Sequence, residues 1–574
     1  MTGWVMPLFT QVSARWVYFL IAVSCGAIIF PSKIRTVAPS DVSSNPTLVN
    51  VTRESGLEGF TNVQGSLQKG HIIETMGGGV AFFDYNRDGN LDLLLVRGSN
   101  VEQFMRGGSP VCSLYRGNGR GRFENVTEAA KIESRGWGMG VVIGDTDNDG
   151  WEDIFVTGYG SNVLLHNQGD GTFRDITHES GLDSSKWSVG ASFADFDRDG
   201  DLDLYVANYL TYNLNRLPKQ GAGCTYRGFD TFCGPRGLPG ERDSLYFNDG
   251  KGHFQDVTNS KGIDADSLYG MGVVAADYDS DGWPDIFVAN DLTANLLYHN
   301  RGKGEFEEVG VLAGVAFDEN GVEEGSMGGD FGDFNNDGAL DLYYTNSSYQ
   351  TNQLAVNLNN GNFSLKSYAL GHGETTWLYV GWGTFFADLD NDGWEEIFVA
   401  NGHLYAEADR FDMGLKYKQR PLLFQNQLGK KFFDVKGSWG SALETPGLGR
   451  GAAYGDYDND GDLDVVINNL DGPPTLLRND GGNRRSWLIV KCEGSVSNRS
   501  AIGTRLILRD GAAQQLREIK AGSSYASHCD SRAHFGLGTR SEIPELNVVW
   551  PSGKTQKLSN VKTNQVLQLK EPSR

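Results

Sequence analysis

An acidic nonamer that recurs along the chain constrains the fold more than any other feature. Its seven copies are DYNRDGNLD (84–92), DTDNDGWED (145–153), DFDRDGDLD (195–203), DYDSDGWPD (277–285), DFNNDGALD (333–341), DLDNDGWEE (388–396) and DYDNDGDLD (456–464). A glycine stands five residues before the first aspartate of every copy: Gly79, Gly140, Gly190, Gly272, Gly328, Gly383 and Gly451. A repeat at this spacing indicates one small structural unit per copy.

The same short segments surround each nonamer. In the second copy they are GVVIGD before it, then DIFVT, VLLHN and, after the turn NQGDGTF, FRDIT. Segments rich in β-branched and aromatic residues favour strands, and glycine-rich turns favour hairpins. Four strands in each of seven units predict an all-β fold, a seven-bladed β-propeller. We expect the recurring glycine on the innermost strand, where neighbouring backbones crowd together.

The two ends of the repeat region complement each other. The last unit stops before its fourth strand, whereas LVNVTRESGL (48–57) matches FRDITHESGL (173–182) and has no unit before it. We therefore predict that residues 48–52 pair as the outer strand of the last blade and close the ring. The propeller is then expected to span residues 47–482.

The nonamer itself has the pattern of a cation-binding loop. Positions 1, 3 and 5 offer side-chain oxygens, glycine permits a sharp turn, position 7 offers a backbone carbonyl and position 9 completes the shell. Position 1 is Asp84, Asp145, Asp195, Asp277, Asp333, Asp388 and Asp456; position 3 is Asn86, Asp147, Asp197, Asp279, Asn335, Asp390 and Asp458. Position 5 is Asp88, Asp149, Asp199, Asp281, Asp337, Asp392 and Asp460; position 7 is Asn90, Trp151, Asp201, Trp283, Ala339, Trp394 and Asp462; position 9 is Asp92, Asp153, Asp203, Asp285, Asp341, Glu396 and Asp464.

Ligation by oxygen alone favours calcium, which accepts irregular cages, over zinc, iron or magnesium. An EF-hand is excluded because the residue at its position 12 would have to be glutamate, and here it is apolar or aromatic in every copy. The net charge of −23 agrees with bound cations. Seven calcium ions would leave about −9, an ordinary value for a soluble protein. We expect up to seven calcium ions, mainly structural in role.

These features resemble known protein families. The repeats are similar to the FG-GAP/VCBS type of integrin α-subunit propellers, and RRSWLIVKCEG, IGTRLILRDG and AGSSYASHCDSRAHFGLG resemble the ASPIC/UnbV domain. Together they resemble the cartilage acidic protein 1 family and its bacterial relatives over about residues 47–572. The resemblance implies calcium in the loops and carries over no catalytic residue. Asn86 and Asn335 depart from the all-acid pattern, so the resemblance supports metal binding less strongly there.

The region from 483 to 574 differs from the repeats and contains no metal loop. Five to seven alternating segments with Gly and Asp-Gly turns predict a small β-sandwich or barrel packed beside the propeller. Its expected role is a rigid appendage or a second binding surface.

The amino-terminal region is predicted to direct export. Residues 16–30 form an apolar run after Arg15, which is typical of a signal peptide or an uncleaved signal anchor within residues 1–35. Lipid attachment at Cys25 is a further alternative. Residues 36–46 are then a linker. The expected location is secreted, periplasmic or at the cell surface, with a membrane contacted only through residues 16–30.

The cysteines suit an oxidising compartment. Cys224 and Cys233 lie in a long insertion, residues 209–243, that a disulfide between them would restrain. Cys492 and Cys529, both in the tail, are a second candidate pair. Cys112 is left over as a candidate buried thiol.

The sequence is compatible with two classes of function. The favoured hypothesis is that the protein is an extracellular binding or adhesion platform. It would bind a protein or glycan through loops at one end of the ring, including residues 209–243. The alternative is a hydrolase or lyase that acts on an extracellular polymer in a pocket at the channel mouth. No nucleophile motif or separate carboxylate pair is present in the sequence, so an enzyme is disfavoured, and the acidity argues against nucleic acid as a partner.

Overall fold

The computed structural model describes residues 45–214, 224–226, 228–265, 268–410 and 414–573. The predicted signal segment (1–35) and most of the linker lie outside these residues. Among the described residues there is no helix that is long and apolar enough to cross a membrane. The predicted all-β propeller architecture is confirmed, since short strands dominate and repeat in four-stranded sheets.

Within the described residues, each of the seven nonamers connects the first two strands of a sheet of four antiparallel strands, and we call these sheets blades 1 to 7. From the inner to the outer strand, blade 1 contains Val80–Phe83, Asp92–Val96, Cys112–Gly117 and Phe123–Asn125; blade 2, Gly138–Gly144, Asp153–Gly158, Val163–Asn167 and Phe173–Asp175; blade 3, Ser188–Ala194, Asp203–Asn208, Ser244–Asn248 and Phe254–Asp256; blade 4, Gly270–Ala276, Asp285–Asn290, Leu296–Asn300 and Phe306–Glu308. Blade 5 contains Ser326–Gly332, Asp341–Asn346, Gln353–Asn357 and Phe363–Leu365; blade 6, Gly381–Ala387, Glu396–Asn401, Leu422–Asn426 and Phe432–Asp434; blade 7, Gly449–Gly455, Asp464–Asn469, Thr475–Asp480 and Thr47–Asn50.

The inner strands of successive blades pack side by side in a closed ring. The recurring glycine permits this packing: a Cβ at Gly190 would lie 2.3 Å from the carbonyl oxygen of Met271 in the next blade. The ring closes between the last and first blades, where the Gly451 amide donates to the Gly78 carbonyl at 3.1 Å. The predicted need for glycine on the innermost strand is thus confirmed.

Strand Thr47–Asn50 is the outer strand of blade 7. It pairs antiparallel with Thr475–Asp480, and Leu48 lies opposite Asn479. Leu48 is buried in an apolar cluster together with residues from blades 1, 6 and 7. The first described strand of the chain is therefore hydrogen-bonded to the last strand of the ring.

The remaining regular elements of the described residues are short. The α-helices are Val101–Met105, Thr177–Ser180, Gly310–Ala313 and Gly373–Thr376; the 3₁₀ helices are Ile72–Thr75, Ala406–Arg410, Lys436–Trp439, Ser441–Glu444 and Gly482–Arg484; two-stranded pairs form between Ser109–Pro110 and Arg135–Gly136 and between Thr225–Tyr226 and Phe229–Asp230.

The tail folds as two small sheets around one apolar core. Seven strands are present: Ser486–Glu493, Arg505–Asp510, Ala513–Glu518, Ala533–Gly538, Glu542–Val549, Thr555–Lys562 and Gln565–Lys570. Three form one sheet, in the order 533–538, 486–493 and 565–570, and four form the other, in the order 513–518, 505–510, 542–549 and 555–562. Leu488, Leu506, Leu546 and Trp550 belong to one buried cluster. This agrees with the expected small sandwich.

We predicted a tail packed beside the propeller, but its segment from residue 521 to 529 (the plug) lies inside the central channel. The Val141 amide of blade 2 donates to Ala526 O at 3.0 Å, and the Gly329 amide of blade 5 donates to Ser524 O at 2.9 Å. Ser524 Oγ accepts from an amide of blade 6 and donates to a carbonyl of blade 7. One short segment can reach opposite blades only if it lies near the ring axis.

The described residues of the 209–243 insertion cover the other end of the channel. Cys224 and Cys233 form the predicted disulfide. Phe232 of the insertion is buried against Tyr405, with ring centroids 4.9 Å apart. It shares an apolar cluster with Tyr525 of the plug and with tryptophans and methionines of the inner strands. The channel is therefore filled by side chains rather than open.

The predicted pairing of Cys492 with Cys529 is wrong. Both are free and buried thiols, as is Cys112. Cys492 belongs to the core of the tail, whereas Cys529 ends the plug and packs in the cluster of blades 1, 6 and 7. Burial raises the pKa of each thiol to about 12.

Candidate metal centre

Each nonamer forms a tight loop whose carboxylates are held by the backbone of the same loop. In the second loop, Asp145 Oδ1 accepts from the Asp149 amide at 3.1 Å and Oδ2 from the Gly150 amide at 2.7 Å. Asn148 and Gly150 adopt positive φ angles of 57° and 96°. Asparagine and glycine tolerate that conformation at little cost, which explains why the turn occurs at this point in the sequence.

Positions 3 and 5 repeat this arrangement one step further along the loop. Asp147 Oδ1 accepts from the Asp149 amide at 3.2 Å, and Asp149 Oδ1 accepts from the Trp151 amide at 2.8 Å. The two asparagines at position 3 fit the same geometry, since Asn86 Oδ1 and Asn335 Oδ1 each accept from the amide of the position-5 aspartate. Both asparagines therefore keep an oxygen in the loop.

Oxygens of positions 1, 3 and 5 come close together in the loops. Ligand atoms of Asp145, Asp147 and Asp149 all lie within 4.8 Å of one another, and the same holds for Asp195, Asp197 and Asp199. Such convergence of carboxylate oxygens is the geometry that a hard cation requires.

Position 9 ties each loop to the blade below it. In blades 1, 2, 3, 6 and 7 the carboxylate accepts one amide from position 2 of the loop and a second from the third strand. In blades 4 and 5, Asp285 and Asp341 accept the amide from the third strand. In blade 3, Asp203 accepts from Phe196 at 3.0 Å and from Asn248 at 3.0 Å. Glu396 does the same in blade 6 with Leu389 and Asn426. The position-9 carboxylates are fully buried, so each carries charge or a proton inside the fold.

Several loop carboxylates have a buried oxygen without a hydrogen-bond partner among the described residues. They are Asp195 Oδ1, Asp277 Oδ1, Asp285 Oδ2, Asp341 Oδ2, Glu395 Oε2, Asp458 Oδ1 and Asp462 Oδ1. A buried carboxylate oxygen with no partner is costly unless a cation or water satisfies it. The donor set therefore fits a cation bound within the loops.

The electrostatics of the loops agree with the geometry. Burial, with repulsion from neighbouring aspartates, raises the pKa of Asp92 and of Asp145 to about 8 and that of Asp195 to about 7. Burial likewise raises the pKa of Asp462, at position 7 of the last loop, to about 9. In the described part of the chain, no basic side chain is among the main causes of the shifts in these four pKa values.

In six of the seven blades the position-4 residue connects its loop to the next one around the ring; in loop 4, Ser280 instead accepts from Arg505 of the tail. Asn336 Nδ2 donates to Gly393 O at 2.8 Å, and Asn391 Nδ2 donates to Gly461 O at 3.2 Å. Arginine replaces asparagine in two blades: Arg87 lies over the Trp151 ring and Arg198 over the Trp283 ring, both at position 7 of the following loop. The tryptophans at position 7 thus pack between loops.

Two histidines also face the loops, and our sequence reasoning missed them. His166 Nδ1 lies 3.1 Å from Asp153 Oδ1, and His299 Nδ1 lies 3.2 Å from Asp285 Oδ1. Each is the penultimate residue of its third strand and precedes the final asparagine, in VLLHN (163–167) and LLYHN (296–300). The histidine before the final asparagine was the sequence pattern that could have identified them.

The tail covers the face of the ring that carries the loops. Its residues contact all seven: Lys491 with Asp84, Ser500 with Asp145, Pro551 with Arg198, Arg505 with Asp277, Leu516 with Asp333, Arg485 with Asp390 and His534 with Gly461. Arg505 Nη1 is 2.8 Å from Asp277 Oδ2, and Arg485 Nη1 is 2.7 Å from Asp390 Oδ2. These cations offset part of the acidity of the loops.

Other polar residues near the ring have structural partners. Glu74 accepts from the amides of Ser66 and His71, and Asp291 Oδ2 accepts from the Tyr209 hydroxyl at 2.6 Å. His403 is buried, its Nδ1 accepts from the Tyr405 amide, and burial lowers its pKa to about 4. Each of these groups holds a loop in place.

A cavity of about 480 Å³ lies between loops 3 and 4 and the tail. Of its four lining acids, Asp195, Asp277 and Asp281 belong to the loops. The fourth, Glu518, accepts from the Asp277 amide at 3.0 Å and lies 3.7 Å from Arg505 Nε. The cavity therefore belongs to the interface between the tail and the loops.

Comparison with protein families agrees with the repeats. A model described as FG-GAP-like repeat matches residues 84–156, 145–206, 230–288, 277–344 and 333–399. The chain belongs to the FG-GAP-like repeat family. A second model, ASPIC and UnbV, matches residues 494–574 of this family member, which is most of the tail.

Individual proteins are also similar. The chain is homologous to cartilage acidic protein 1 of Mus musculus, with 28% identity over 337 residues that cover 55% of this chain and 47% of the mouse protein. The human protein is 29% identical over 339 residues, or 55% of this chain and 46% of the human one. The chain thus matches about half the length of these relatives. Among solved structures, an Agrocybe aegerita lectin that recognises non-reducing terminal N-acetylglucosamine is 17% identical, with a TM-score of 0.39, 66% of this chain and 91% of the lectin covered.

Proposed function

We propose that this protein is an exported calcium-binding propeller that serves as an extracellular platform for a protein or glycan ligand. Calcium holds the loops, and the ligand binds at the end of the ring that the tail leaves free. The observation that carries the proposal is the asymmetry of the two faces: the tail contacts all seven loops on one face and leaves the other to connections between strands.

Calcium is the cation that the loops fit best. Each loop offers side-chain oxygens in an irregular arrangement, which suits the flexible coordination of calcium. The partnerless buried oxygens and the raised pKa values of the loop carboxylates support the presence of a cation. If free calcium exceeds the dissociation constant tenfold, each site stabilises the fold by about 1.4 kcal/mol. Seven sites would contribute on the order of 10 kcal/mol, comparable with the net stability of a whole domain.

Export is supported by the disulfide, because such bonds persist mainly outside the reducing cytosol. Cys224 and Cys233 brace the insertion where it crosses the end of the channel. An apolar run at residues 16–30, outside the described residues, adds the sequence pattern of an export signal.

The ligand surface is proposed on the face opposite the loops. Strands in a blade run antiparallel, so the connections between second and third strands lie at the end opposite the nonamers. Phe229, in the insertion, and Trp377, in the connection to blade 6, are 39% and 42% exposed. Trp377 contacts Tyr349 with ring centroids 6.3 Å apart, and Tyr349 and Tyr226 pack on the same small cluster. Exposed aromatic rings on loops are typical of surfaces that bind proteins or sugars.

The enzyme alternative receives little support. It needs a polar pocket at the channel mouth, but Phe232 and Tyr405 cover one end and the plug occupies the other. The cavity at loops 3 and 4 has no pair of acids apart from the loops. We therefore retain a polymer hydrolase or lyase only as the less favoured function.

Point substitutions test the platform better than deletion of the insertion, because deletion would also remove Phe232 from the core. The double variant F229A/W377A and the control F433A, an exposed phenylalanine on the outer strand of blade 6, are compared on a glycan array and an extracellular-protein array in calcium. We expect the double variant to lose most of the signal of the wild type and the control to keep it. Wild-type protein that binds nothing on either array, or a double variant with undiminished signal, would refute the proposed surface.

A further inference from the structure

The histidines that face loops 2 and 4 distinguish these two loops from the other five. The corresponding position, one residue before the end of the third strand in most blades, is Arg116, His166, Phe247, His299, Val356, Gln425 and Arg478 in blades 1 to 7. Its side chain is partly buried in blades 2 to 7 and exposed in blade 1. Only histidine offers an unprotonated nitrogen to a metal at this position.

We propose that loops 2 and 4 bind a divalent first-row transition metal, zinc foremost, through His166 and His299 together with the loop carboxylates. The inference rests on the proposed function in one respect, namely that the nonamers are metal sites. It departs from that function in the identity of the ion at two of the seven loops.

The donor atoms around His299 are arranged as a mixed site. His299 Nδ1 lies 3.3 Å from Asp279 Oδ2 and 3.2 Å from Asp285 Oδ1. Ligand atoms of Asp279, Asp281 and His299 all lie within 4.8 Å of one another, as do those of Asp277, Asp279 and Asp285. One imidazole nitrogen and several carboxylate oxygens therefore surround the same small volume.

A second observation supports a bound cation in the same place. Asp285 is fully buried, and its Oδ2 has no hydrogen-bond partner among the described residues, whereas Oδ1 accepts from the Asn300 amide at 2.7 Å. A buried carboxylate oxygen without a partner is destabilising unless a cation lies against it. Loop 4 thus has both an assembled donor set and an unsatisfied charge.

Loop 2 repeats the arrangement with the same residue types. Ligand atoms of Asp147, Asp153 and His166 lie within 4.8 Å of one another. His166 Nδ1 is 3.1 Å from Asp153 Oδ1 and 3.8 Å from Asp147 Oδ2. Here both oxygens of Asp153 have protein partners, so the case for loop 2 rests on its likeness to loop 4.

The donor types favour a transition metal, and the donor separations are compatible with one. Zinc binds nitrogen and oxygen at about 2.0–2.2 Å, which puts neighbouring donors of one shell about 3.0–3.5 Å apart. The separations at His299 lie in that range. Calcium takes oxygen ligands, whereas imidazole is a good ligand for zinc and the neighbouring divalent first-row metals. The affinity of such sites rises from manganese to copper along the first row. A histidine in the shell therefore weakens calcium relative to zinc.

The natural residues of other blades supply the matched variants. H166V and H299V place the valine of blade 5 in blades 2 and 4. Q425H places a histidine in blade 6, where Gln425 Nε2 already lies 3.5 Å from Asp390 Oδ2. H253V removes a histidine, 62% exposed, whose Nδ1 lies 3.3 Å from Asp249 of its own turn. Melting in excess calcium checks that each variant folds.

The test is metal analysis of the full chain after dialysis against equimolar zinc in excess calcium, with calcium and zinc counted in each sample. We expect two zinc ions in the wild type and H253V, one in each single variant, none in H166V/H299V and three in Q425H. Each lost histidine should weaken zinc at its loop at least tenfold in competition with a chromophoric chelator. An anomalous map at the zinc edge should place each ion within bonding distance of a histidine Nδ1.

The outcomes separate this inference from the proposed function. Protein that binds calcium in the loops but no zinc, or a double variant that keeps both zinc ions, overturns the inference and leaves the calcium platform standing. Protein that binds neither ion overturns both. If a valine variant fails to fold, the gain of a third zinc in Q425H still decides, because a histidine that merely hydrogen-bonds a carboxylate would add none.

Discussion

Removal of one aromatic ring from the plug tests whether the tail is part of the propeller core. Tyr525 is fully buried in the channel, and its ring lies 4.9 Å from that of Trp382 on the inner strand of blade 6. Truncation of a buried aromatic side chain to alanine costs about 3–5 kcal/mol, because the cavity cannot collapse inside a rigid ring. We therefore expect Y525A to destabilise the whole molecule by that amount.

The corresponding shift in melting temperature follows from the size of the cooperative unit. Roughly 530 residues between Asn45 and Arg574 form one compact unit. At about 2.1 cal/mol/K per residue, its entropy of unfolding is about 1.1 kcal/mol/K, so Y525A should lower the melting temperature by about 3–5 °C. Differential scanning calorimetry in calcium measures this shift. Y525F keeps the ring and should lose less than about 1.5 kcal/mol, and F433A, at an exposed position, should change little.

Two results would refute this reasoning. A Y525A protein that melts within about 1 °C of the wild type would mean that the ring of Tyr525 is not packed in the core. A wild-type scan with separate transitions, in which only the smaller one responds to Y525A, would mean that the tail folds apart from the propeller.

Three further predictions follow from the loops, the inner strands and the insertion. Burial raises the pKa of Asp92 to about 8, so without calcium the native state binds more protons than the unfolded chain between about pH 4 and 8. The melting temperature measured in chelator should therefore fall as pH rises across that window. Saturating calcium should abolish the fall. G190A forces a methyl group to 2.3 Å from a carbonyl oxygen of the next blade and should cost about 1–3 kcal/mol in chemical denaturation, whereas G59A, with nothing within 4 Å, should cost far less; equal costs would contradict the packing. C224S/C233S should open the insertion with a loss of about 2–3 kcal/mol of local stability, seen as faster proteolysis within residues 209–243 while the ring melts as before; unchanged proteolysis would contradict this role.

Much of the propeller could be predicted from the sequence because its physics is local and repeated. Each nonamer encodes its own turn, and each recurring glycine marks a close approach such as that of Gly190 to blade 4. The match of 48–57 to 173–182 identified the outer strand of blade 7 from its likeness to other outer strands.

The plug could not be predicted in the same way. The segment AGSSYASHCDS (521–531) does not show the alternation of apolar and polar residues that is typical of a strand. Its hydrogen-bond partners lie on inner strands that are far away in the sequence. The pairing of Cys492 with Cys529 failed for the same reason, since the plug takes Cys529 away from the core of the tail.

The contact of two histidines with the loops was missed although the residues were visible. His166 and His299 appear in segments that were read only as strands, and a strand pattern does not show which side chain reaches back over a loop from the blade edge. The contact depends on the register between the third strand and the loop. A comparison of the seven third strands position by position would have exposed them.

The central claim is that divalent metal captured in the nonamer loops holds the ring together. Its most direct measurement is an anomalous diffraction map of crystals soaked in a lanthanide that replaces calcium. We predict strong peaks inside the loops, surrounded by the carboxylates of positions 1, 3, 5 and 9, and a melting temperature that drops steeply when chelator removes the metal. Loops without peaks in crystals that diffract well, with a melting temperature indifferent to chelator, would contradict it.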